Sequence, residues 1–246
     1  MTPLSRSAFP DPNLASADGL VAYGGDVNPE RLIDAYSHGI FPWFDDDDEP
    51  VLWWSPDPRA VMAPSELRVS RSLAKRLRSD RFRVTVDEAF AEVTAACAEP
   101  RRSSRGTWIT PRMRAGYHAL HEMGLAHSVE TWIDHELVGG LYGVSLGRMF
   151  FGESMFAKAS DASKVALAHL AHQLDIWNFT LIDCQLPNDH LAMLGARTMP
   201  RRDFLALVHA NNGQPTQRGR WRFDPVANTG PKWLNARART TRVRAQ

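Results

Sequence analysis

Hydrophobic positions with helical spacing recur in seven segments of the chain. Leu73 and Leu77 fall on one face of a segment whose other positions are mostly Arg or Lys, as in a surface helix. Helix-start signals, a capping residue followed by Pro, occur at Asn28 and Thr110. The spacing predicts helices between Asn28 and Gly39 and over about 70–78, 87–98, 110–123, 160–177, 189–194 and 201–210.

The pattern changes to short runs of β-branched, aromatic and apolar residues in the second half of the chain. Three runs, 128–133, 137–144 and 148–151, are separated only by turn residues, which predicts an antiparallel meander. A fourth apolar run, 179–184, follows the predicted helix 160–177. A strand reached through a helix crossover is expected to lie parallel to its neighbour. The order β-β-β-α-β-α predicts an α+β fold with a mixed sheet flanked by helices.

The first sixty residues are denser in Gly, Pro and aromatic side chains than the rest of the chain. We expect a small N-terminal α/β module over residues 1–58 and a larger domain over residues 59–246. The end of that domain, residues 218–246, has eight basic residues and one acidic residue, Asp224, with little periodicity. This basic tail is expected to be mostly unstructured.

Composition narrows the class of protein. Of the 246 residues, 43% are hydrophobic and 23% are charged, which excludes wholesale disorder. The formal net charge is only +1, so an anionic partner has to be bound by a local basic patch. Cys97 and Cys184 are the only cysteines, too few for a disulfide framework. With no apolar leader and no apolar stretch of membrane-spanning length, the pattern favours a soluble cytoplasmic protein.

Three polar residues near predicted strand ends could carry chemistry. Asp183 and Gln185 are two apart on a strand, so they share a face and emerge together at its end. Such a pair could orient or deprotonate an amine, or it could cap the following helix, and the spacing leaves both interpretations open. Glu153 follows the apolar run 149–151. It could face a cationic ligand, although spacing alone favours an ordinary charge at a strand end.

Other chemical signals are weaker. The segment 68–83 contains seven Lys or Arg; such a run is usually a solvated face, yet a one-sided stripe could follow a phosphate backbone. His118 and His121 have ligand spacing but no Glu-x-x-His or Cys companion, so no metal site is expected. Residues 139–143 are rich in Gly but lack the Lys of a phosphate loop, and no cofactor is predicted.

Ten short strings occur in order between Phe9 and Ala210. They are Phe9-Pro10, Gly19-Leu20, Gly24-Gly25-Asp26, Ala35-Tyr36, Gly39-Ile40-Phe41-Pro42-Trp43, Trp53-Trp54-Ser55-Pro56-Asp57-Pro58-Arg59, Thr107-Trp108-Ile109-Thr110, Ala126-His127-Ser128-Val129-Glu130, Gly152-Glu153-Ser154-Met155-Phe156 and Leu181-Ile182-Asp183-Cys184-Gln185. Together they closely resemble the leucyl/phenylalanyl-tRNA protein transferase family. An ordered set of this length is far more specific than any single motif.

The resemblance implies an enzyme that moves Leu or Phe, and less often Met, from aminoacyl-tRNA to the α-amine of a protein that begins with Arg or Lys. That transfer marks the acceptor for degradation by the N-end rule. Direct attack of the amine on the aminoacyl ester is expected, without a covalent enzyme intermediate, because the ester is already activated. The family's larger domain is similar to the GCN5-related N-acetyltransferase fold, and a bacterial cytoplasmic monomer without cofactor is expected.

The resemblance also assigns residues to parts of the site, motif by motif. The polar pair at the reaction centre is matched by Asp183 and Gln185, and the contact for the basic end of the acceptor by Glu153. The aromatic residues at the terminal adenosine are matched by Tyr36, Trp43 and Trp108. The apolar lining for Leu or Phe is matched by Phe150 and Ile182. The basic cluster for the tRNA acceptor stem is matched by Arg71, Lys75 and Arg76.

Two other functions suit part of the pattern. An acetyl-CoA-dependent N-acetyltransferase would have the same element order, but the turn at 157–164 lacks the Gly-rich run that cradles a pyrophosphate at a helix start. A non-enzymatic RNA-binding module would use the basic helix and tail, but would leave the strings around Glu153 and Asp183 unexplained.

Overall fold

The computed structural model describes residues 2–3, 9–99 and 109–224 of the chain. The helices are α1 Pro29–Ser37, α2 Arg71–Leu77, α3 Phe90–Ala98, α4 Pro111–Glu122, α5 Ala162–Ile176, α6 Asp189–Met193 and α7 Arg201–Asn211. The strands are β1 Thr2–Pro3, β2 Leu20–Tyr23, β3 Phe41–Pro42, β4 Leu52–Trp54, β5 Arg59–Met62, β6 Arg83–Val86, β7 Ala126–Ile133, β8 Glu136–Leu146, β9 Met149–Ala157, β10 Leu181–Gln185 and β11 Arg197–Met199.

Capping residues place the starts of four helices. At the start of each of these helices a capping side chain accepts a hydrogen bond from the backbone N–H three residues further along the chain. The accepting residues are Asn28 at α1, Ser70 at α2, Thr110 at α4 and Asn188 at α6. These contacts confirm the two predicted caps, Asn28 and Thr110.

Residues with positive φ account for two helix ends and for one error in the predicted boundaries. Gly39 follows α1 with a φ of +69°, and Gly124 follows α4 with a φ of +68°. The helix predicted over 87–98 begins at Phe90 in the structure, three residues after the predicted start. Asp87 has a φ of +56°, and its carboxylate accepts the backbone N–H of Ser128 on β7 instead of joining the helix.

Within the described residues, seven strands form one mixed sheet in the order β11-β5-β10-β9-β8-β7-β6. The predicted meander is confirmed as β7, β8 and β9, which pair antiparallel. The predicted crossover is also confirmed: β10 follows α5 and lies parallel to β9, with Ile182 opposite Phe150. The chain is therefore α+β, with helices on a mixed sheet, as the element order predicted.

Three strands of this sheet were missed by the pattern, namely β5, β6 and β11. Each has only three or four residues, too few for an alternating pattern to show. The strand β9 is also longer than the predicted run 148–151, because its pairing with β8 continues to Ala157. Glu153 consequently lies within a strand and not at the end of one.

Neighbouring residues on β9 and β10 point to opposite faces of the sheet. Phe150 and Ile182 pack in one core with the apolar side of α5. Phe151 and Leu181 pack in the other core, which contains residues of α4 and residues before 58. The N-terminal sheet, in the order β1-β2-β4-β3, thus packs against the larger one. The division into domains at residue 58 stays a prediction.

The first part of the predicted tail, residues 218–224, has no helix or strand but is packed against the fold. Trp221 is buried, its backbone N–H donates to Asp87 at 2.7 Å, and its ring stacks on that of His127 with centroids 3.6 Å apart. Asp224 accepts hydrogen bonds from Gln173 and Trp177. The prediction of an unstructured tail is therefore wrong for these residues, while residues 225–246 lie outside the described part of the chain.

Candidate active site

A cavity of about 630 Å³ opens where β9 and β10 part. The parallel pairing of these strands runs from Leu181 to Asp183, which lies opposite Phe151. Just beyond, the register of β9 against β8 shifts at Glu153, and the register of β10 against β5 shifts at Cys184. The two register shifts turn the strands' ends apart and leave room between them.

The cavity has an apolar wall and a polar side. The apolar wall comes from β8, β9, β10 and α5 and contains Leu141, Phe150, Leu167, Leu170 and Ile182. The polar side contains Glu153, Asp183, Gln185, Asn188 and His190. Trp43, which is 39% exposed, is part of the lining from the N-terminal region. The predicted apolar and polar residues therefore share one cavity.

Glu153 receives three hydrogen bonds from three different elements. The hydroxyl of Tyr36 on α1 donates to its Oε1 at 2.7 Å, and that of Tyr117 on α4 donates to its Oε2 at 2.6 Å. The amide of Gln185 on β10 donates to Oε1 at 3.2 Å. The two tyrosine oxygens also contact each other at 2.7 Å. Helices from both sides of residue 58 therefore hold this carboxyl group in place.

The environment of Glu153 shifts its protonation toward neutral pH. Burial raises the pKa of this carboxyl from 4.5 to about 7, because removal from water penalises the charged form. The hydrogen bonds from Tyr117 and Tyr36 act in the opposite direction, the nearby Asp183 raises the pKa further, and Arg59 lowers it. A carboxyl with such a pKa can both accept and release a proton near neutrality.

Asp183 forms a buried ion pair. Both its carboxylate and the guanidinium of Arg59 are 0% exposed, and they make two parallel hydrogen bonds, Nε to Oδ1 at 2.8 Å and Nη2 to Oδ2 at 2.7 Å. The guanidinium also lies over the rings of Phe41 and Phe204, at 4.8 and 4.5 Å from their centroids. Such a bidentate pair has a fixed geometry, so Asp183 is held rigidly behind the cavity surface.

The same ion pair shapes the backbone at Gln185. The backbone N–H of Gln185 donates to Oδ1 of Asp183 at 3.0 Å, and Gln185 has a φ of +54°. This turn directs the Gln185 amide to Glu153. Asn188 caps the following helix α6, so the alternative interpretation of Asp183 and Gln185 as helix caps is wrong.

Two residues of this arrangement were missed by the sequence interpretation. Arg59 follows a Pro-rich segment and resembles a solvated loop residue until β5 pairs with β10 and buries it. Tyr117 lies on the buried face of α4 and is 0% exposed, but its hydroxyl reaches Glu153. No local pattern signals either contact, since each partner is distant in sequence.

The residues matched to the terminal adenosine differ in their placement. Trp43 lines the cavity, whereas Tyr36 is 0% exposed and lies behind Glu153, outside the cavity lining. The structure therefore gives Tyr36 a supporting contact to Glu153. Trp108 lies outside the described residues.

The basic residues of α2 lie near the start of α5. Arg71 and Lys75 are exposed, and Arg76 is paired with Asp161 at 3.6 Å. Asp161 directly precedes α5, and Ser163 in the first turn of α5 lines the cavity. The basic face of α2 is thus next to one edge of the cavity.

Two family models match successive parts of the chain. Residues 25–57 match the leucyl/phenylalanyl-tRNA protein transferase N-terminal domain, and residues 61–209 match the leucyl/phenylalanyl-tRNA protein transferase model. The chain belongs to this family. The predicted family and the predicted enzyme class, an aminoacyltransferase, are confirmed.

Curated relatives of this transferase family match nearly the whole chain. The leucyl/phenylalanyl-tRNA protein transferase of Nitrosospira multiformis is 56% identical over 222 residues, which cover 89% of this chain and 95% of that protein. The enzyme of the same name from Pseudomonas fluorescens is 53% identical over 239 residues, covering 96% of this chain and 100% of that protein.

Solved structures match with low identity. A GCN5-related N-acetyltransferase from Kribbella flavida is 13% identical, with a TM-score of 0.36, and the match covers 71% of this chain and 61% of that one. A structure named L-PGS from Bacillus licheniformis is 11% identical, with a TM-score of 0.37 over 69% of this chain and 54% of that one. We draw no conclusion about function from matches at these TM-scores.

Two features are absent from the part of the chain that the structure describes. Within residues 2–3, 9–99 and 109–224, every helix is too short or too polar to cross a membrane. Over the same ranges, no three His, Cys, Asp or Glu side chains are grouped so that they could hold a metal ion.

Proposed function

We propose that this transferase moves Leu, Phe or, less often, Met from aminoacyl-tRNA to the α-amine of a protein that begins with Arg or Lys. One observation carries the proposal: a single cavity joins the apolar side chains of Phe150 and Ile182 to the carboxyl group of Glu153. An apolar side chain and a cationic chain terminus can thus be held side by side. The relatives bear the name of this reaction.

The apolar wall is the proposed site for the esterified side chain. Phe150 and Ile182 lie almost fully buried on adjacent strands, and Leu167 and Leu170 of α5 close the wall. Each methylene missing from a bound side chain is worth about 1–3 kcal/mol in such a pocket. Smaller amino acids would therefore be disfavoured, and β-branched ones would be excluded by shape.

The polar side is the proposed site for the acceptor and for the reaction. Glu153 is the anionic partner for the acceptor's basic end, since charge-assisted hydrogen bonds to a cation are strong in a partly buried site. The amide of Gln185 is placed to hydrogen-bond the amine or the developing oxyanion. Asp183, whose oxygens are held by Arg59 and by the Gln185 N–H, orients Gln185.

The exposed basic face of α2 is the proposed contact for the tRNA acceptor stem. Arg71, Lys75 and Arg76 offer positive charge beside the edge of the cavity formed by the start of α5. Contacts of this kind bind phosphates without reading the sequence, and they weaken with added salt. Trp43 offers an exposed ring for the terminal adenosine.

The proposed reaction is a direct attack of the amine on the aminoacyl ester. The ester supplies the driving force, so the enzyme's contribution is to place a neutral amine near the carbonyl and to assist proton movement. In the cell, the product would be marked for degradation by the N-end rule in the cytoplasm. We expect the enzyme to act as a monomer.

Incubation of the protein with radiolabelled Phe-tRNA and a peptide that begins with Arg tests the proposal. Label should move into the peptide without acetyl-CoA, and a peptide that begins with Ala should receive little. Asp183→Asn should lower transfer strongly and leave tRNA binding nearly unchanged. Binding of tRNA without any transfer would favour the RNA-binding module, and a requirement for acetyl-CoA would favour the acetyltransferase.

A further inference from the structure

The hydroxyls of Tyr36 and Tyr117 and the carboxyl of Glu153 form a closed ring of contacts. The ring has three short oxygen–oxygen contacts: 2.7 Å between the tyrosines, 2.7 Å from Tyr36 to Glu153 and 2.6 Å from Tyr117 to Glu153. Each tyrosine hydroxyl has one proton to donate. The two hydroxyl protons make only two hydrogen bonds, so one of the three contacts has no proton while the carboxyl is ionised. All three contacts are hydrogen bonds only when the carboxyl of Glu153 is protonated. The ring thus has a ready position for one additional proton.

The ring exchanges protons with the cavity only through Glu153. Tyr36 and Tyr117 are 0% exposed, whereas Glu153 is partly exposed and lines the cavity. Burial of the two tyrosines raises the pKa of each hydroxyl well above its ordinary value, so they stay protonated donors. The carboxyl is therefore the group of the ring that can gain or lose a proton.

Asp183, the other carboxylate at the cavity, is engaged by donors inside the protein. Its Oδ1 accepts the Nε–H of Arg59 and the N–H of Gln185, and its Oδ2 accepts the Nη2–H of Arg59. The whole residue is 0% exposed. Because this carboxylate is the partner of the buried guanidinium of Arg59, its contribution is to hold Gln185 and β5 in place.

We propose that Glu153, held by Tyr36 and Tyr117, is the proton acceptor for the attacking α-amine, and that the two tyrosines are positioning residues for it. This inference rests on the proposed function and assigns its proton transfers. Glu153 then both contacts the acceptor and takes part in the reaction.

The reaction removes two protons from the α-ammonium, one that ends on the ribose oxygen and one that ends in solvent. The acceptor's α-ammonium gives one proton to the Glu153 carboxylate and becomes a neutral amine. Its nitrogen then forms a bond to the ester carbonyl carbon, and the bond from that carbon to the ribose oxygen breaks with its electron pair on the oxygen. The ribose oxygen takes the proton held by Glu153, and the carboxylate accepts the second proton from the new amide nitrogen. That proton passes to solvent and resets the site.

The groups that face Glu153 come from four elements and agree with this role. Tyr36 and Tyr117 donate to the carboxylate from α1 and α4, and Gln185 donates from β10. Arg59 on β5 lowers its pKa, and Asp183 on β10 raises it. Burial raises the pKa of Glu153 by more than the hydrogen bonds and Arg59 lower it. The resulting pKa of about 7 lies between the ordinary values of a carboxyl and an amine.

Single-turnover transfer from Phe-tRNA at low and at saturating Arg-peptide, followed across neutral pH, tests the inference. At low peptide the wild-type rate reports the free enzyme and should rise with pH through a midpoint near 7. Glu153→Gln keeps the size of the side chain but cannot accept a proton. It should lower the saturated rate by about 10²–10⁴-fold and abolish that midpoint, with tRNA affinity unchanged. A loss confined to the KM for the peptide would overturn the inference.

A matched pair of tyrosine variants separates positioning from packing. Tyr117→Phe removes a donor to the ionised carboxylate and should move the midpoint up by about one pH unit. Tyr142→Phe removes a hydroxyl from the same aromatic cluster, but that hydroxyl is buried without a hydrogen-bond partner in the described residues. It should leave the midpoint in place, and equal midpoints in both variants would overturn the inference.

The outcomes also separate the inference from the proposed function. A wild-type protein that moves no label into the Arg-peptide would overturn the proposed function. Normal wild-type transfer, together with a Glu153→Gln enzyme that is as fast at saturating peptide, would overturn only the proton role of Glu153.

Discussion

Two carboxyl groups on the large sheet are held in nearly the same way but face different surroundings. Glu130 on β7 accepts hydrogen bonds from the hydroxyls of Thr85 and Ser128, and Glu153 on β9 accepts them from Tyr36 and Tyr117. Burial raises the pKa of both. Glu130 is 0% exposed, however, whereas Glu153 lines the cavity.

The strand register explains the difference. Glu130 lies at a regular position of β7, opposite Gly140 of β8 and Thr85 of β6, so neighbouring strands cover it on both sides. Glu153 lies where the register of β9 shifts against β8, and the parallel partner β10 has already stopped pairing at Asp183. A local irregularity of β9 thus gives Glu153 the access to the cavity that Glu130 lacks.

The largest expected effect tests the ion pair behind the site. Arg59→Met leaves the carboxylate of Asp183 buried without its cation, and we expect the free energy of unfolding to fall by about 3–5 kcal/mol. Urea denaturation measures it. Arg197→Met, which breaks an exposed pair with Glu66 at 3.6 Å, is the control and should cost less than about 1 kcal/mol. Similar losses in the two variants would contradict the buried role of Arg59.

A similar loss is expected at the docked tail. Trp221→Ala removes a buried ring that stacks on His127 and lies 6.0 Å from the ring of Phe150, so it should cost about 3 kcal/mol or more. It should also loosen the wall of the proposed aminoacyl pocket and weaken discrimination between Phe and smaller residues. The exposed neighbour Arg222→Ala serves as control and should stay within about 0.5 kcal/mol.

The raised pKa of Glu153 predicts that the free energy of unfolding depends on pH. Below pH 4.5 the Glu153 carboxyl is mostly protonated in both the folded and unfolded states, so its burial does not lower the free energy of unfolding through ionisation. As the pH rises from 4.5 to about 7 the unfolded chain ionises first, so stability falls, and above about 7 the decline stops. The total loss is about 3 kcal/mol at most.

Substitution by Gln distinguishes the two positions. Glu153→Gln should remove this decline in stability between pH 4.5 and about 7, as measured by thermal or urea unfolding at several pH values. Glu130→Gln should also reduce the decline, but it should keep transfer activity within about two-fold, because Glu130 is outside the cavity. Loss of transfer in Glu130→Gln with an unchanged fold would contradict the prediction that only Glu153 of these two residues affects transfer.

The smallest expected effect concerns tRNA affinity. Arg76→Ala removes one positive charge from the face of α2, so the slope of log affinity against log salt should become shallower by about one. Filter binding or fluorescence anisotropy at several salt concentrations measures the slope. Arg202→Ala on α7, a highly exposed residue that pairs with its neighbour Asp203, should leave it unchanged. An equal change in both variants would mean that the contact is not localised to α2.

Much of the fold follows from local signals. The caps Asn28 and Thr110, the meander β7-β8-β9 and the parallel strand β10 were predictable because spacing and turn residues depend on the immediate sequence. The short strand β5 was not predictable, since it is specified by pairing with β10 and β11. The docking of Trp221 was hidden for the same reason: its partners Asp87 and His127 are about a hundred residues away.

By itself, the sequence determined the family and the α+β class, and it predicted Glu153, Asp183 and Gln185 as site residues. Only the tertiary structure decided how these carboxyl groups differ. It paired Asp183 with Arg59 across β10 and β5, and it placed Glu153 against Tyr36 and Tyr117 at the edge of a cavity. The physical reason is that the protonation of a carboxyl group depends on its burial and its partners, which distant segments supply on folding.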